Sequence, residues 1–442
     1  MEPSPHRGSP ANSQPTPDAS SVDQVRKSIV LAPPPVDAVS PRQIRRRYGR
    51  PDMHFVQARA ARLLVNATET FPAMLAAINA AVDRVELETY TLREDATGRA
   101  FQQAMIRATS RGVRVRLLYD WIGSFGLSRR FVGELVEAGV AVAVYHPLLV
   151  RRPLWALNRR DHRKILVVDD AAAFTGGINL GDEYNPVSDG GQGWRDTHVC
   201  LEGPEVARTM AALFEYAWRR ATPYDAMRTR RTQIRHVLRR RWAALLHRKE
   251  HPEVASGPDE GVPVSLVGNE VWRYRRRIHL AHLKAIGRAR RYVMLENAYF
   301  IPSKPVRRAL IKAARRGLFV GVVVTKQSDV PIAAYATRWL YDELLAGGVR
   351  LFEWPDSMMH AKTAVVDDAW SIIGSYNFDH RSLFHQLECV AVIADTAFAV
   401  EMREQILTDI ARCQEVSLAA HRRRPWWKKV LEFVAFLLRH WL

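Results

Sequence analysis

Cysteine is scarce in this chain: three residues, Cys200, Cys389 and Cys413, stand far apart. That is too few for a disulfide-stapled fold and lacks the paired spacing of a zinc site, so a reducing, cytosol-facing setting fits best. Acidic residues are in deficit, 46 against 65 Lys and Arg, leaving a formal net charge of +19. Such an excess points to an anionic partner, either nucleic acid or a membrane surface. Long apolar runs are missing too. None approaches the roughly 20 residues that cross a bilayer, and the early stretch IVLAPPPV is short and broken by prolines. No signal peptide is read there. If this protein meets a membrane, it lies on it.

What is present is an ordinary globular composition, 47% hydrophobic and 25% charged, over 442 residues. That length allows two or three domains, each with its own core. Residues 1–50 are rich in Pro, Ser and Ala and close on the basic run RQIRRRYGR; they read as a disordered tail. Beyond it, VELETYTL, VRVRLLYD and VAVAVYHP read as strands, and the segments AFQQAMIRATSRG and FVGELVEAG between them as helices. The series then repeats. Glu88 aligns with Glu296, Gly112 with Gly317, and Gly139 with Gly348, all in one order. Colinear matches of this kind describe a duplicated α/β domain. The expected layout is a first domain over 51–221, a basic helical linker over 222–262, a second domain over 263–415, and a basic, aromatic helix over 416–442.

The most informative repeat is DHRKILVVDD against MHAKTAVVDD. Each copy carries a His, a Lys two places on, and an Asp five places after the Lys. Residues i and i+2 of a strand share a face, so His162 points with Lys164 and His360 with Lys362. The Asp lies about 16 Å further along an extended strand, past the apolar run, and is expected to brace the turn. The catalytic set is therefore His162, Lys164, Asp169, His360, Lys362 and Asp367, with the two aspartates as its structural members. A small-residue bend follows each Asp. If each segment folds as a hairpin, the bend returns beside the His and Lys, where Asn179, Ser375 and Asn377 would donate to phosphate oxygens.

One His, one Lys and one Asn from each half make a two-fold pocket for a single phosphodiester. A neutral imidazole can attack phosphorus while the opposite imidazolium protonates the departing alkoxide. The lysines would neutralise the non-bridging oxygens. No metal or other cofactor is needed, and the spacing of His, Cys and acids marks no metal site. A catalytic His commonly has a carboxylate on its other nitrogen; Asp196 and Glu388, each shortly after its bend, are the candidates. His198, His380 and His385 nearby read as structural.

These paired segments resemble the HKD motifs of the phospholipase D superfamily, and within it the bacterial cardiolipin synthases that lack transmembrane helices. NRRDHRKILVVD, FTGGINLGDEY, WRDTHVCLEGP, YFIPS, MHAKTAVVDD and GSYNFDHRS carry the resemblance, from about Val85 to Cys413. It implies two phospholipase D-like α/β domains, each a mixed sheet flanked by helices, facing one active site at a pseudo-two-fold interface. It also implies a covalent phosphohistidine and the joining of phosphatidylglycerol to a second phospholipid. Gln386 departs from the family, which often has Asn there. Hydrolysis of phospholipid and cleavage of nucleic acid are the alternatives. The paired motifs and the aromatic tail favour lipid over nucleic acid. His162 is preferred as the nucleophile; the motifs leave the acceptor lipid and the oligomeric state open.

The C-terminal stretch PWWKKVLEFVAFLLRHWL places Lys428, Glu432 and Arg439 near one helical face, opposite a wide apolar one. A helix of that kind suits the bilayer interface, with Trp at its depth and HRRRP on anionic headgroups. The location expected is peripheral, on the cytoplasmic face of the inner membrane. The stretch LLVRRPLWALNRR before His162 is a second candidate lipid contact.

Overall fold

A computed structural model describes residues 19–29, 40–147, 158–225, 261–269 and 275–440. Most of the expected basic linker and the LLVRRPLWA part of the second lipid-contact stretch fall outside these residues.

Two mixed sheets, flanked by helices, divide the chain. The first has eight strands, with Ile165–Val168 between Ala172–Gly176 and Arg84–Thr89, and Arg114–Asp120 and Ala141–Tyr145 beyond. The second has nine, with Lys362–Val366 between Trp370–Gly374 and Tyr292–Asn297, and Phe319–Thr325 and Arg350–Trp354 beyond. In each, three parallel strands meet an antiparallel pair in the same order. The parallel strands are apolar on both faces because helices cover both. Gly112 and Gly317 (φ +88° and +85°) and Gly139 and Gly348 (φ +91° and +87°) end matching helices in the left-handed region, where glycine alone carries no steric cost. The duplication read from sequence is thus also a duplication of backbone.

The helices Pro204–Trp218 and Thr396–Arg412 each touch strands of both sheets and form the layer between them. Val199, Leu201 and Val206 of the first half share one apolar cluster there with Val365, Ile373, Phe398 and Met402 of the second. The halves are fused by core, not merely tethered.

The domain boundaries need correction at the start of the chain. Residues 41–48, assigned to a disordered tail, form a helix belonging to the second half. Ser40 caps it, accepting from the Gln43 backbone while Gln43 reaches back to the Ser40 amide. Ile44 and Tyr48 are buried in the second core, and the Tyr48 hydroxyl donates to Asp367 at 2.6 Å. Ala19–Ser28 is helical as well, and Ile29 is buried in the shared cluster. Next, Val56–Ala58, placed in the first domain, pairs antiparallel with Val262–Gly268 of the second sheet. In return, Thr222–Pro223, placed in the linker, closes the edge of the first sheet. Local composition missed this because two or three buried side chains suffice to dock an otherwise polar segment.

The C-terminal region is two helices, Leu418–Arg422 and Trp426–Leu437, separated at Pro425. The second packs on Pro331–Trp339, with the Phe433 and Trp339 ring centroids 4.9 Å apart. Its orientation reverses the simple amphipathic picture. Glu432 is 2% exposed and ion-paired to Arg424, whereas Trp426 is 76%, Val430 49% and Leu437 53% exposed. The polar residue turns inward and the apolar face outward. No helix among the described residues is long and apolar enough to cross a membrane.

Candidate active site

Each hairpin carries its His–Lys pair to the end of the sheet that faces the other half. The segment around Asp161 runs parallel to that around Leu387, with the His162 amide donating to the Leu387 carbonyl at 2.9 Å. On the other side, Arg195 bridges to Met359, and the His360 amide donates to the Arg195 carbonyl at 2.7 Å. The two pairs are therefore locked across the interface by backbone. All four side chains are buried.

The carboxylates cross over. His162 Nδ1 lies 3.2 Å from Glu388 Oε2, and His360 Nδ1 lies 2.6 Å from Asp196 Oδ2. Each histidine is thus held by the acid of the opposite half, a pairing that spacing along the chain cannot reveal. Lys164 and Lys362 each turn back to donate to the carbonyl of their own histidine.

Burial dominates the electrostatics. Desolvation, followed by Lys164, Lys362 and His360, holds His162 well below the usual imidazole range. His360 is also lowered by desolvation and Lys362, but Asp196 opposes the shift. Desolvation brings Lys164 down to about 7 and Lys362 to about 8. The two acids diverge. Burial lifts Glu388 to about 7, with Lys164 pulling the other way. Burial would raise Asp196 too, yet Lys362 and His360 outweigh it and leave the group lowered.

The remaining sequence candidates divide. Asn179 reaches the site: its amide nitrogen donates to the Tyr184 hydroxyl at 2.9 Å, and that hydroxyl is 3.1 Å from His360 Nδ1. Asn377 is buried, with Oδ1 lacking a partner among the described residues. Ser375 was expected to face phosphate, and this is corrected. Its hydroxyl donates to Glu388 and is fully buried behind that carboxylate, so it supports an acid. The glycine bend likewise serves the acids: a Cβ at Gly177 would collide with the Asp196 carboxylate.

Asp169 and Asp367 stand apart from the histidines, past the strands Ile165–Val168 and Lys362–Val366. Each sits at the far end of its strand with left-handed backbone, φ +52° and +58°, a conformation that Asp tolerates better than most residues. The Asp169 carboxylate accepts from the amides of Val82, Asp83 and Arg84 at 3.1, 2.9 and 2.8 Å. Asp367 accepts from Arg290, Arg291 and Tyr292 at 2.7, 2.7 and 3.0 Å, besides Tyr48. Both pin the loop that leads into the neighbouring strand. Their carboxylates are committed to these contacts.

Several residues of the site had no signal in the sequence. Tyr184 and Trp194 stack edge-on or tilted against His360, at 5.8 and 5.5 Å between centroids. Tyr90 lies 5.0 Å from His162, with Lys164 Nζ 5.4 Å from its ring centre. Beneath His162, Arg163 donates to Glu88 at 2.6 Å; beneath His360, Arg195 forks onto Asp409 at 2.6 and 3.0 Å. Aromatic rings and buried arginines are too common for spacing alone to single them out. Of the three nearby histidines, His198 accepts from the Ile178 amide at 3.3 Å, and burial pushes it down to about 3.

Comparison with known proteins bears on this arrangement. A family model described as cardiolipin synthase, PLD-like domain, matches residues 74–218 and 282–410. Cardiolipin synthase B of Salmonella typhi is 36% identical over 389 residues, 86% of this chain and 87% of that protein. Its Escherichia coli K12 counterpart is 35% identical over 384 residues, 86% of this chain and 87% of that protein. Among solved structures, phosphatidylserine synthase of Haemophilus influenzae superposes with a TM-score of 0.69, covering 91% of this chain and all of that one. At 14% identity that likeness speaks for the fold.

Proposed function

The chain belongs to the cardiolipin synthase, PLD-like family, and we propose that its site joins phosphatidylglycerol to a second phospholipid with release of glycerol. It is a phosphatidyltransferase of the phospholipase D superfamily. The observation that carries the reaction is the pair of crossed acid–histidine contacts in one pocket with two lysines.

The two histidines are assigned different roles. With His162 Nδ1 3.2 Å from Glu388, we assign its proton to Nδ1 and leave Nε2 for chemistry. His162 is the one held furthest toward neutrality, as a nucleophile requires. Its Nε2 attacks phosphorus, and a P–N bond forms as the bond to the glycerol oxygen breaks. His360, backed by an ionised Asp196 at 2.6 Å, carries the proton delivered to that oxygen. In the second step the headgroup hydroxyl of another lipid gives its proton to neutral His360 and attacks. The P–N bond then breaks, cardiolipin leaves, and His360 again holds its proton. The phosphohistidine cation favours the ionised form of Glu388, whose Oε2 lies 3.2 Å from His162 Nδ1. Lys164 and Lys362 face the non-bridging oxygens, whose charge restores the protonation that burial weakens. Asn179 orders Tyr184 against His360, and Asn377 remains the phosphate-facing amide.

The substrate reaches this site from a membrane surface. Support comes from the outward apolar face of Trp426–Leu437, extended by exposed Tyr335 and Trp339 of the helix beneath and flanked by Lys428 and Lys429. Rings at that depth with basic neighbours suit an anionic bilayer. The cytoplasmic face of the inner membrane is the location proposed.

The test is to incubate the purified protein with phosphatidylglycerol vesicles and identify the products by mass. Cardiolipin with glycerol is expected. Phosphatidic acid alone would make the enzyme a hydrolytic phospholipase D, and inactivity on lipid with cleavage of DNA would overturn both lipid readings. Trp426→Ser with Leu437→Ser should weaken vesicle sedimentation while sparing a soluble diester; unchanged sedimentation removes the helix from the membrane contact.

A further inference from the structure

The duplicated sheets end in matching places but continue differently. The strands Arg114–Asp120 and Phe319–Thr325 hold the same position, each the middle of three parallel strands. Both end beside a histidine. Asp120 Oδ2 accepts from the Asp161 amide at 3.0 Å, one residue before His162. Thr325 Oγ1 accepts from the Met359 amide at 3.3 Å, one residue before His360. The segment that leaves each strand therefore starts next to the active site.

In the second half that segment leads into the helix Pro331–Trp339, which carries exposed Tyr335 and Trp339 and the docked C-terminal helix. In the first half it is a short loop over residues 121–127, WIGSFGL, with serine as its one polar side chain. Phe125 near its tip is 73% exposed, and its ring centroid lies 5.1 Å from that of half-buried Trp121. Ile122 and Leu127 of the same loop are half-buried.

A lone exposed apolar side chain needs no explanation, but this loop is held in place by its polar groups. Its base hangs on Asp120, whose Oδ1 accepts from the Ile122 and Gly123 amides at 2.9 and 3.2 Å. The buried Ser124 hydroxyl accepts from the Leu92 amide at 2.9 Å and donates to the Tyr90 carbonyl at 3.1 Å. A Cβ at Gly123 would strike that same carbonyl, so only glycine permits the approach. The Phe125 and Leu127 amides close turns onto the Ile122 and Ser124 carbonyls at 3.3 and 3.1 Å. The serine is thus spent on fixing the loop to Tyr90, the ring beside His162, and the phenylalanine is left outward. Exposed Arg129 and Arg130 follow at the start of the helix Arg129–Glu137, where Arg130 meets Glu134 at 3.0 Å. An aromatic tip with basic residues a few positions away suits the interface of an anionic bilayer.

We propose that the loop over residues 121–127 is a second contact with the lipid surface, inserting Phe125 at the boundary of headgroups and acyl chains in an anionic bilayer. The first half thereby has an anchor to match the C-terminal helix of the second, and the active site lies between them. Two anchors fix the orientation of a surface-bound protein, whereas a single helix leaves it free to roll. The inference rests on the membrane reading proposed above.

The experiment reads depth. The full chain with Phe125→Cys or Val82→Cys is labelled with nitrobenzoxadiazole and bound to phosphatidylglycerol vesicles containing a lipid with a nitroxide on its acyl chain. Val82 is the control: it is 81% exposed but lies at the other end of the same sheet, where its amide donates to Asp169. Unsubstituted protein gives the background from buried Cys200 and Cys389 and half-buried Cys413. The label at 125 should lose about half its emission or more to the nitroxide, and the label at 82 should keep its own. Phe125→Ser should raise the half-saturating lipid concentration roughly fivefold or more, and Phe125→Trp should bring it back. If Phe125→Cys does not fold, Gly126→Cys replaces it, since a Cβ there meets nothing within 4 Å. An unquenched label on vesicle-bound protein, equal quenching at 82, or an unchanged half-saturating concentration in Phe125→Ser overturns the contact and leaves the membrane reading standing. A full chain that fails to sediment with the vesicles overturns the membrane reading itself, and the contact with it.

Discussion

The two half-sites share their His, Lys, Asp and Asn but differ in what stands behind them. His360 meets a lowered Asp196 at 2.6 Å and has Tyr184 at the same nitrogen. His162 meets a raised Glu388 at 3.2 Å, and that acid also accepts from Ser375 and Ser382. Arg163 anchors the first motif to Glu88, whereas its counterpart in the second is Ala361, and Glu296 there accepts from Thr363 at 2.8 Å instead. Duplication supplies two equal histidines. In the proposed mechanism the different neighbours favour one as nucleophile and the other as proton carrier, and a two-step transfer needs both.

The sharpest way to break this comparison is to remove each histidine. His162→Asn and His360→Asn should each lower transfer from phosphatidylglycerol by about a thousandfold or more. On a soluble diester with a p-nitrophenyl leaving group, which needs no protonation, they should separate. His360→Asn should give a burst and an adduct that mass spectrometry places on His162, and His162→Asn should give neither. An adduct on His360 reverses the assignment.

The orienting acids test the same asymmetry at smaller amplitude. Asp196→Asn should cost on the order of a hundredfold in kcat and Glu388→Gln about tenfold, because Asp196 is held low and charged in the empty site whereas burial raises Glu388 to about 7. Equal losses would make the two contacts equivalent.

The pH dependence comes next. Lys164 and Lys362, at about 7 and about 8 in the empty pocket, must be protonated to bind phosphate. Raising the pH through those values removes their charge, so kcat/KM should fall between about 7 and 8. Bound substrate favours the charged lysines, so the limb for kcat should lie higher. Coincident limbs would show that the lysines do not hold the phosphate.

The smallest effect on chemistry is expected at the two aspartates, and there the halves behave alike. Asp169→Asn and Asp367→Asn each weaken three backbone contacts, which costs about 1–3 kcal/mol of stability. Asp367→Asn should cost more because it also loosens Tyr48 and the docked N-terminal helix. Denaturant midpoints should drop while turnover at low temperature survives. Intact stability with lost turnover would return the aspartates to the reacting set.

Much of this was legible before any coordinates. The paired motifs placed His162, Lys164, His360 and Lys362, since i and i+2 on a strand share a face. The five-residue gap separated each Asp from the chemistry for the same reason. Asp196 and Glu388 were found as acids, but their partners were not. Ser375 was misread because a hydroxyl next to a glycine bend looks the same in sequence whether it faces a ligand or a carboxylate. Residues 41–48 were misread because composition averages over a window, while docking depends on Ile44, Tyr48 and one hydroxyl.

The sequence by itself determined what each half contributes: a sheet with a His–Lys pair at its edge and an acid a short loop away. Periodicity and spacing are local, and local geometry decides which side chains share a strand face. Only the tertiary structure decided that the acids cross over, and that burial raises Glu388 at 3.2 Å while Asp196 at 2.6 Å is held low. Those outcomes depend on burial and on contacts between residues some two hundred positions apart, such as His162 with Glu388. Distance along the chain carries no information about either.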